Sequence, residues 1–422
     1  MSKKIVLFVF ALVYASILGS TSAFAASDYE WVQKSSLPSE RSGAAVATVN
    51  GKIYVFGGTS NGSEAVEGEK TNTTFEYDPQ TNIWTEKQPM PTTRSAVTAA
   101  VYNEKIYVIG GYFDQNGKTV RSNAVEAYDT QTDTWEKIAD LPTARSWASA
   151  VTVDNKIFVV GGANNSGTIT ATVECYDLLN KTWSKKNNFP KATNALSLIV
   201  ANDEIFAFGG IAEWSKPSSV MTGLYQYNKS TDQWVQKNDL KDPKNAAASV
   251  TVNGDIYILG GYNSSGAVSK TVEVYDPSTN QSIINENLTL TSARSMSVAA
   301  TINGEIYIIG GVNGEKNGTI GLVESFSKIP SPQPEPSGNR AILVVTLDTG
   351  LEKEFDLSME EVNAFITWYE NKQAGTGTAS YAIDKHDNNK GPFSARKDYV
   401  IFDKILTFEV NEYSIVTDAT YE

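Results

Sequence analysis

The sequence predicts an all-β repeat protein, six copies of a four-stranded blade closed by the chain's own first strand, followed by a small α+β domain. Three observations predict it. Gly-Gly pairs recur at Gly57-Gly58, Gly110-Gly111, Gly161-Gly162, Gly209-Gly210, Gly260-Gly261 and Gly310-Gly311, spaced by 53, 51, 48, 51 and 50 residues. Each pair is followed by a Tyr-Asp or a variant, and then in four copies by a Trp seven residues past that Tyr. The last copy lacks a fourth strand, while a strand without a copy precedes the first.

The elements can be justified in chain order. Lys3 and Lys4 precede an apolar run from Ile5 to Leu18, and Ala23-Phe24-Ala25 follows with the small residues of a cleavage site. Residues 1–25 therefore read as a secretory signal peptide, set aside from the fold. The run is shorter than the ~20 apolar residues a spanning helix needs. The mature chain is thus expected to be secreted or held at the cell surface, without membrane insertion.

Within each copy a small-residue strand, such as Gly43 to Val49 or Met296 to Ile302, comes first. It turns through Asn-Gly, Asn-Glu or Asp-Asn into an alternating apolar strand such as Lys52 to Phe56 or Glu305 to Ile309, the chemistry of a two-residue hairpin. The Gly pair ends this second strand, where a side chain would obstruct closely approaching backbones. A loop of variable length leads to a third strand ending at Tyr77-Asp78, Tyr128-Asp129, Tyr176-Asp177, Tyr227-Asn228 or Tyr275-Asp276. The fourth strand carries Trp84, Trp135, Trp183 or Trp234, with Ser282 in the fifth copy. These aromatic side chains are expected to be buried between neighbouring blades. Cys175 aligns with Ala127 and Val274, so a packed strand residue is expected in preference to a reactive thiol.

The ordered recurrence of the diglycine, the Tyr-Asp and the spaced Trp over residues 28–328 resembles the kelch repeat. That resemblance implies a six-bladed β-propeller. In the sixth copy Phe326 takes the Tyr position and the chain runs into Ile329-Pro330-Ser331-Pro332, while Asp28 to Val32 forms an orphan fourth strand. The N-terminal strand is therefore expected to complete the last blade, covering edges that would invite aggregation.

Composition narrows the chemistry. One His and one Cys exclude an intramolecular disulfide framework and a zinc or copper site built mainly from imidazole and thiolate. Secreted kelch relatives include galactose oxidase, whose copper needs two His ligands and a Tyr bonded to Cys. The propeller segment has no His, which excludes that chemistry, and no cofactor is predicted. A formal charge of −13 argues against nucleic acid or an anionic membrane as the main partner.

Alternating strand direction places the loops leading into the inner strands and the loops between second and third strands on one face. The latter include Thr59 to Thr73, Tyr112 to Ala124, Ile211 to Gly223 and Tyr262 to Lys270, and varied loops on a rigid scaffold commonly carry recognition. The lead-in loops place Arg41, Arg94, Arg145 and Arg294 at equivalent points, with Asn194 and Asn245 assigned to the other two copies. Such a ring could offer guanidinium forks to a carboxylate, phosphate or sugar hydroxyl at the mouth of the central channel. The other reading is structural, since Glu126, Glu174, Glu273 and Glu324 stand two residues before the third-strand aromatic and mostly accompany an Arg. Arg41 faces Phe75 instead of a Glu, and is expected to be free. Tyr112, Trp147, Trp214 and Tyr262 complete the predicted ligand-binding set as surfaces for a sugar ring or peptide side chain.

After the Pro-rich linker at residues 329–338, a domain over 339–422 is predicted. Ala341 to Thr346 and Glu352 to Leu357 read as a hairpin around Asp348-Thr349-Gly350. Ser358 and Glu361 form a capping box, with Leu357 and Val362 as a hydrophobic staple, opening a helix that carries Phe365, Ile366 and Tyr369. Strands are expected at Tyr399 to Phe402 and Ile405 to Val410. This region resembles accessory modules of secreted repeat proteins, which implies no activity. Asp384 to Gly391 places oxygen ligands alternately but lacks the Gly and the bidentate Glu of a calcium loop, so a solvated turn is expected and no metal site.

The expected function is a secreted, non-catalytic protein that recognises an extracellular glycan or protein on the loop-bearing face. The alternatives are a carbohydrate-active enzyme of the sialic acid epimerase type, with Glu213, Asp114 or Glu69 as proton carrier, and a structural envelope component. No Ser-x-Asp-x-Gly-x-x-Trp sialidase box is present.

Overall fold

Six antiparallel four-stranded sheets follow one another along the chain in the computed structural model, which describes residues 29–60, 68–315, 318–328, 339–384 and 397–414. The expected signal peptide, the Pro-rich linker and the polar segment after Asp384 lie outside the described residues. In blade 1, Ala45–Val49, Lys52–Phe56, Thr74–Asp78 and Ile83–Lys87 lie side by side in chain order. Blades 2 to 5 repeat this order from the inner strands Thr98–Tyr102, Ser149–Val153, Ser197–Ala201 and Ala248–Val252. Blade 6 supplies Val298–Ile302, Glu305–Ile309 and Val323–Lys328, and takes Tyr29–Gln33 as its outer strand. Trp31 lies opposite Phe326 in that pairing, as expected for closure by the N-terminal strand. Each inner strand touches the next in a circuit that returns from blade 6 to blade 1.

Period-2 alternation in each strand turns one set of side chains toward the preceding blade and the other toward the following one. The core consequently lies between sheets. Tyr54 and Phe56 of blade 1 pack with Ile106, Val108 and Tyr128 of blade 2, while Ile53 and Tyr77 pack with Tyr307 and Ile309 of blade 6. Four Trp residues pin their outer strands to chain leaving the previous blade, while the Trp234 N–H has no acceptor among the described residues and blade 5 has Ser282. Trp84 Nε1 donates to the Ser35 carbonyl at 2.8 Å, Trp135 to Gln88 at 2.9 Å, Trp183 to Ala139 at 2.9 Å and Trp31 to Leu288 at 3.2 Å. Cys175 is buried in the cluster between blades 3 and 4, and burial pushes its thiol up to about 11.

The diglycines do more than bend the chain. A Cβ on Gly110 would stand 2.5 Å from the Arg145 carbonyl, and one on Gly310 would stand 2.6 Å from that of Arg41. Both have positive φ, and the following glycine donates to that same carbonyl. Each pair is thus the socket for the next blade's lead-in loop, and Gly310-Gly311 receives the loop of blade 1.

The C-terminal residues form their own sheet of Glu352–Ser358, Asn339–Leu347 and Ile405–Ser414, a hairpin of Ser380–Asp384 with Lys397–Ile401, and the helix Met359–Gln373. The predicted capping box forms, with Ser358 Oγ accepting from Glu361 N. Leu357, Val362 and Phe365 enter a core with Leu343 and Val345. The strand Ser380–Asp384 was not anticipated, because only Tyr381 and Ile383 carry its pattern and two turn glycines, Gly375 and Gly377, precede it.

Candidate ligand site at the channel mouth

The lead-in loops fix the geometry of the loop-bearing face, called the upper face below. Backbone pairing sets their register: Ser42 bridges Thr59, Ser95 bridges Tyr112, Ser146 pairs with Ala163, Asn194 bridges Ile211, Asn245 bridges Tyr262 and Ser295 bridges Val312. Asn194 and Asn245 therefore occupy the Ser position, one residue after the arginine position. The residues equivalent to Arg41, Arg94, Arg145 and Arg294 are Thr193 and Lys244, whose carbonyls receive Gly162 N and Gly210 N as those of the arginines receive theirs. This corrects the assignment drawn from sequence.

The arginine side chains turn into the blades. Arg94, Arg145 and Arg294 are fully buried. Arg94 Nη2 meets Glu126 Oε2 at 2.6 Å while Nη1 donates to the Gly110 and Ala124 carbonyls. Arg145 repeats this with Glu174 at 2.7 Å and the carbonyls of Gly161 and Thr172, and Arg294 pairs with Glu324. Burial pulls each guanidinium below the ordinary arginine range, opposed by its carboxylate partner. In blade 5, Lys244 is buried beside Asp242 at 3.2 Å, and Glu273 accepts from the backbone N–H groups of Lys241 and Asp242. Blade 4 replaces the ion pair by Thr193 and the buried Tyr225, whose ring packs beside Gly223. The guanidinium ring expected at the mouth lies instead inside the sheets.

Arg41 is buried too, contrary to the expectation that it is free. Its guanidinium lies over the Phe75 ring at 5.5 Å from the centroid, with Nη2 donating to Thr73 Oγ1 at 2.7 Å and Nη1 to the Glu40 carbonyl at 2.9 Å. Among the other predicted residues, Asn194 is buried and Asn245 half-buried, each with its amide toward a backbone carbonyl of the bridging residue. Tyr112 is buried, Tyr262 and Trp147 are half-buried, and Trp214 is 47% exposed on the blade 4 loop. Of the candidate proton carriers, Asp114 is tied to Thr119 and Lys70, which hold its carboxyl below the usual carboxylate range. Glu213 and Glu69 are exposed on the loops of blades 4 and 1.

What does face the channel is the residue after each Ser or Asn. Gly43, Ala96, Trp147, Ala195, Ala246 and Met296 all have left-handed φ between 48° and 59°. Each N–H donates to the carbonyl of the equivalent residue one blade back, at 2.8 to 3.2 Å, and the chain of bonds closes when Gly43 N donates to Met296 O. The mouth is thus ringed by a head-to-tail circle of backbone hydrogen bonds. It opens a channel cavity of ≈ 270 Å³ lined by these residues and by small neutral side chains such as Thr98, Ser149, Ser197 and Ser249.

Glycine suits a left-handed position, whereas any residue with a Cβ costs about 1–2 kcal/mol there. Trp147 and Met296 nevertheless occupy two of the six stations. Both pack in one cluster with Ala96 and Tyr112, so Met296 on blade 6 and Trp147 on blade 3 converge toward blade 2 across the mouth. The Trp147 Nε1–H is buried without an acceptor among the described residues. The upper loops are interlocked around this floor: Lys70 of blade 1 bonds Asp114 of blade 2, Arg121 N donates to Asn165 of blade 3, and Pro217 of blade 4 abuts Gly266 of blade 5. Sequence reasoning missed Thr193, Lys244, Met296 and Arg121. The Pro-x-x spacing before Arg94 and Arg145 recurs as Pro190-x-x-Thr193, a signal that could have corrected the register.

Comparison with known proteins agrees with this architecture. A family profile described as the KLHDC2/KLHL20/DRC7 Kelch-repeats domain matches residues 20–210, and the Kelch motif matches 243–282 and 293–328. Kelch-like protein terF of Aspergillus terreus is 29% identical over 261 residues, covering 58% of this chain and 55% of that protein. Kelch-like protein 36 of Bos taurus is 28% identical over 248 residues, 58% of this chain and 32% of that protein. The chain thus spans about half or less of the length of the curated relatives it matches. The solved structure of YjhT superposes with a TM-score of 0.58 at 16% identity, covering 69% of this chain and 96% of that one, and shows a shared fold.

Proposed function

From the premise that this chain carries kelch repeats closed into a β-propeller, we propose that it is an exported, non-catalytic binding protein that recognises an extracellular glycan or protein at the channel mouth of its upper face. The observation that carries this reading is the pair Trp147 and Met296. They are the two large side chains of the ring, at stations where the other blades use Gly or Ala, and the left-handed backbone that all five non-glycine stations share is of the kind that clusters at functional sites. The interlocked loops around them supply a rigid rim, which lowers the ordering cost of recognition. Export is supported by the order of Lys3, Lys4, the apolar run and Ala23-Phe24-Ala25.

The test is to probe glycan and peptide arrays with the full chain, alongside W147A and M296A proteins whose folding is checked by circular dichroism. Binding by the wild type that weakens roughly tenfold or more in W147A is the expected result, as for an aromatic residue at the centre of an interface. Array binding that ignores both substitutions, or turnover of a bound sugar, would refute the proposal.

A further inference from the structure

We infer that Arg121 anchors a carboxylate-binding subsite beside the channel mouth, a reading that rests on the recognition role proposed above and gives it a ligand chemistry. Arg121 stands opposite Tyr112 in a tight hairpin, Tyr112–Gln115 paired with Lys118–Arg121 across Asn116-Gly117, both turn residues having positive φ. Its guanidinium lies over the Tyr112 ring, 5.2 Å from the centroid, and Nη2 donates to the phenol oxygen at 3.3 Å. Nε is buried without an acceptor among the described residues, as it is in Arg41, Arg94, Arg145 and Arg294, so the donors open to a ligand are those of the terminal nitrogens.

No carboxylate of the described residues pairs with Arg121. The acid of its own hairpin, Asp114, is committed to Lys70 and Thr119. Arg94, Arg145 and Arg294 are each matched to a Glu, Lys244 is matched to Asp242, and Arg41 is closed off over Phe75. In a chain of charge −13, Arg121 is thus a half-buried cation with fork donors left over. A carboxylate satisfies such a fork with two parallel bonds.

The position specifies what the carboxylate is attached to. Tyr112 carries the guanidinium on its ring and packs in the cluster of Trp147 and Met296. A ligand that extends from Arg121 past Tyr112 toward the mouth therefore meets an indole and a thioether, surfaces for an apolar side chain or a sugar ring. The shared chemistry is a carboxylate next to such a group, whether from an acidic peptide or an acidic sugar.

The experiment follows the Trp147 indole N–H resonance of the full-length protein by NMR, assigned through its loss in W147F. Phenylacetate, glucuronate and the neutral phenylacetamide are titrated in turn. Either carboxylate should move the resonance while phenylacetamide does not. R121Q should weaken that binding by roughly tenfold or more, and R121K should restore only part of it. A response to phenylacetate alone points to a peptide source, and one to glucuronate alone to a sugar. Silence toward both carboxylates, or equal binding by R121Q, overturns the subsite. Should that happen while array binding still depends on Trp147, recognition at the mouth stands without Arg121. Loss of both results removes both readings.

Discussion

Arg145 and its equivalents show how a repeat converts a charge into a joint. Arg94 and Arg145 each close the gap between the second and third strands of their own blade by bonding three backbone carbonyls and one carboxylate, and Arg294 does so through Leu322 O and Glu324. Taking one partner away leaves the other buried and uncompensated. E174Q should therefore destabilise the protein by about 3–5 kcal/mol, whereas the apolar double substitution R145M/E174L should lie within about 2 kcal/mol of wild type or above it, both read from urea midpoints. Part of this was legible in sequence, where Glu126, Glu174 and Glu324 accompany their arginines. The register of blades 4 and 5 was not. Asn194 and Asn245 follow residues that are not Arg, so an alignment anchored on arginine slips by one; the Pro190-x-x-Thr193 spacing signals the slip in blade 4, and the backbone pairing to Ile211 and Tyr262 exposes it in both blades. Arg41 failed as a free cation for a related reason. Loss of the Glu was met by Phe75, whose ring face takes the guanidinium in place of a carboxylate.

At the scale of elements, the four strands of each blade, the tight turns between the first two and the glycine sockets were readable, since each depends on local alternation or on a turn chemistry with few solutions. The segment from Tyr112 to Ala124 reads as one of the varied loops, although Asn116-Gly117 between alternating residues is a strong hairpin signal that places Tyr112 opposite Arg121. Element closure is a separate matter. Strand Tyr29–Gln33 contributes through Trp31, whose ring centroid lies 5.1 Å from that of Phe326 and whose indole N–H reaches Leu288 O. W31A should cost about 3 kcal/mol, the low end for a buried aromatic, because the residue is half-buried. Limited proteolysis should then cut first near residues 29–35, and uniform resistance along the chain would contradict the role given to this strand.

For the molecule as a whole, buried phenols couple the ring to pH. Burial, with Glu305 and Asp78 adding, pushes Tyr77 up to about 12, and burial with Glu136 adding does the same for Tyr107. A phenol raised in the folded state binds its proton more tightly than the unfolded chain does. Its contribution is complete below the unfolded value near 10 and is lost as pH climbs toward about 12. Stability measured by urea unfolding should hold near neutrality and fall between about pH 10 and about pH 12, with phenolate absorbance appearing together with unfolding. Phenolate formation well before unfolding would contradict it.

The circle of backbone hydrogen bonds at the mouth has an evolutionary corollary. Main-chain atoms alone make that collar, so the side chain at each of its six stations carries no duty in holding it together. Gly, Ala, Trp and Met already coexist there on one ring. Such a frame lets the side chains shown at the mouth be exchanged station by station, a single codon at a time, while the wheel beneath stays as it was.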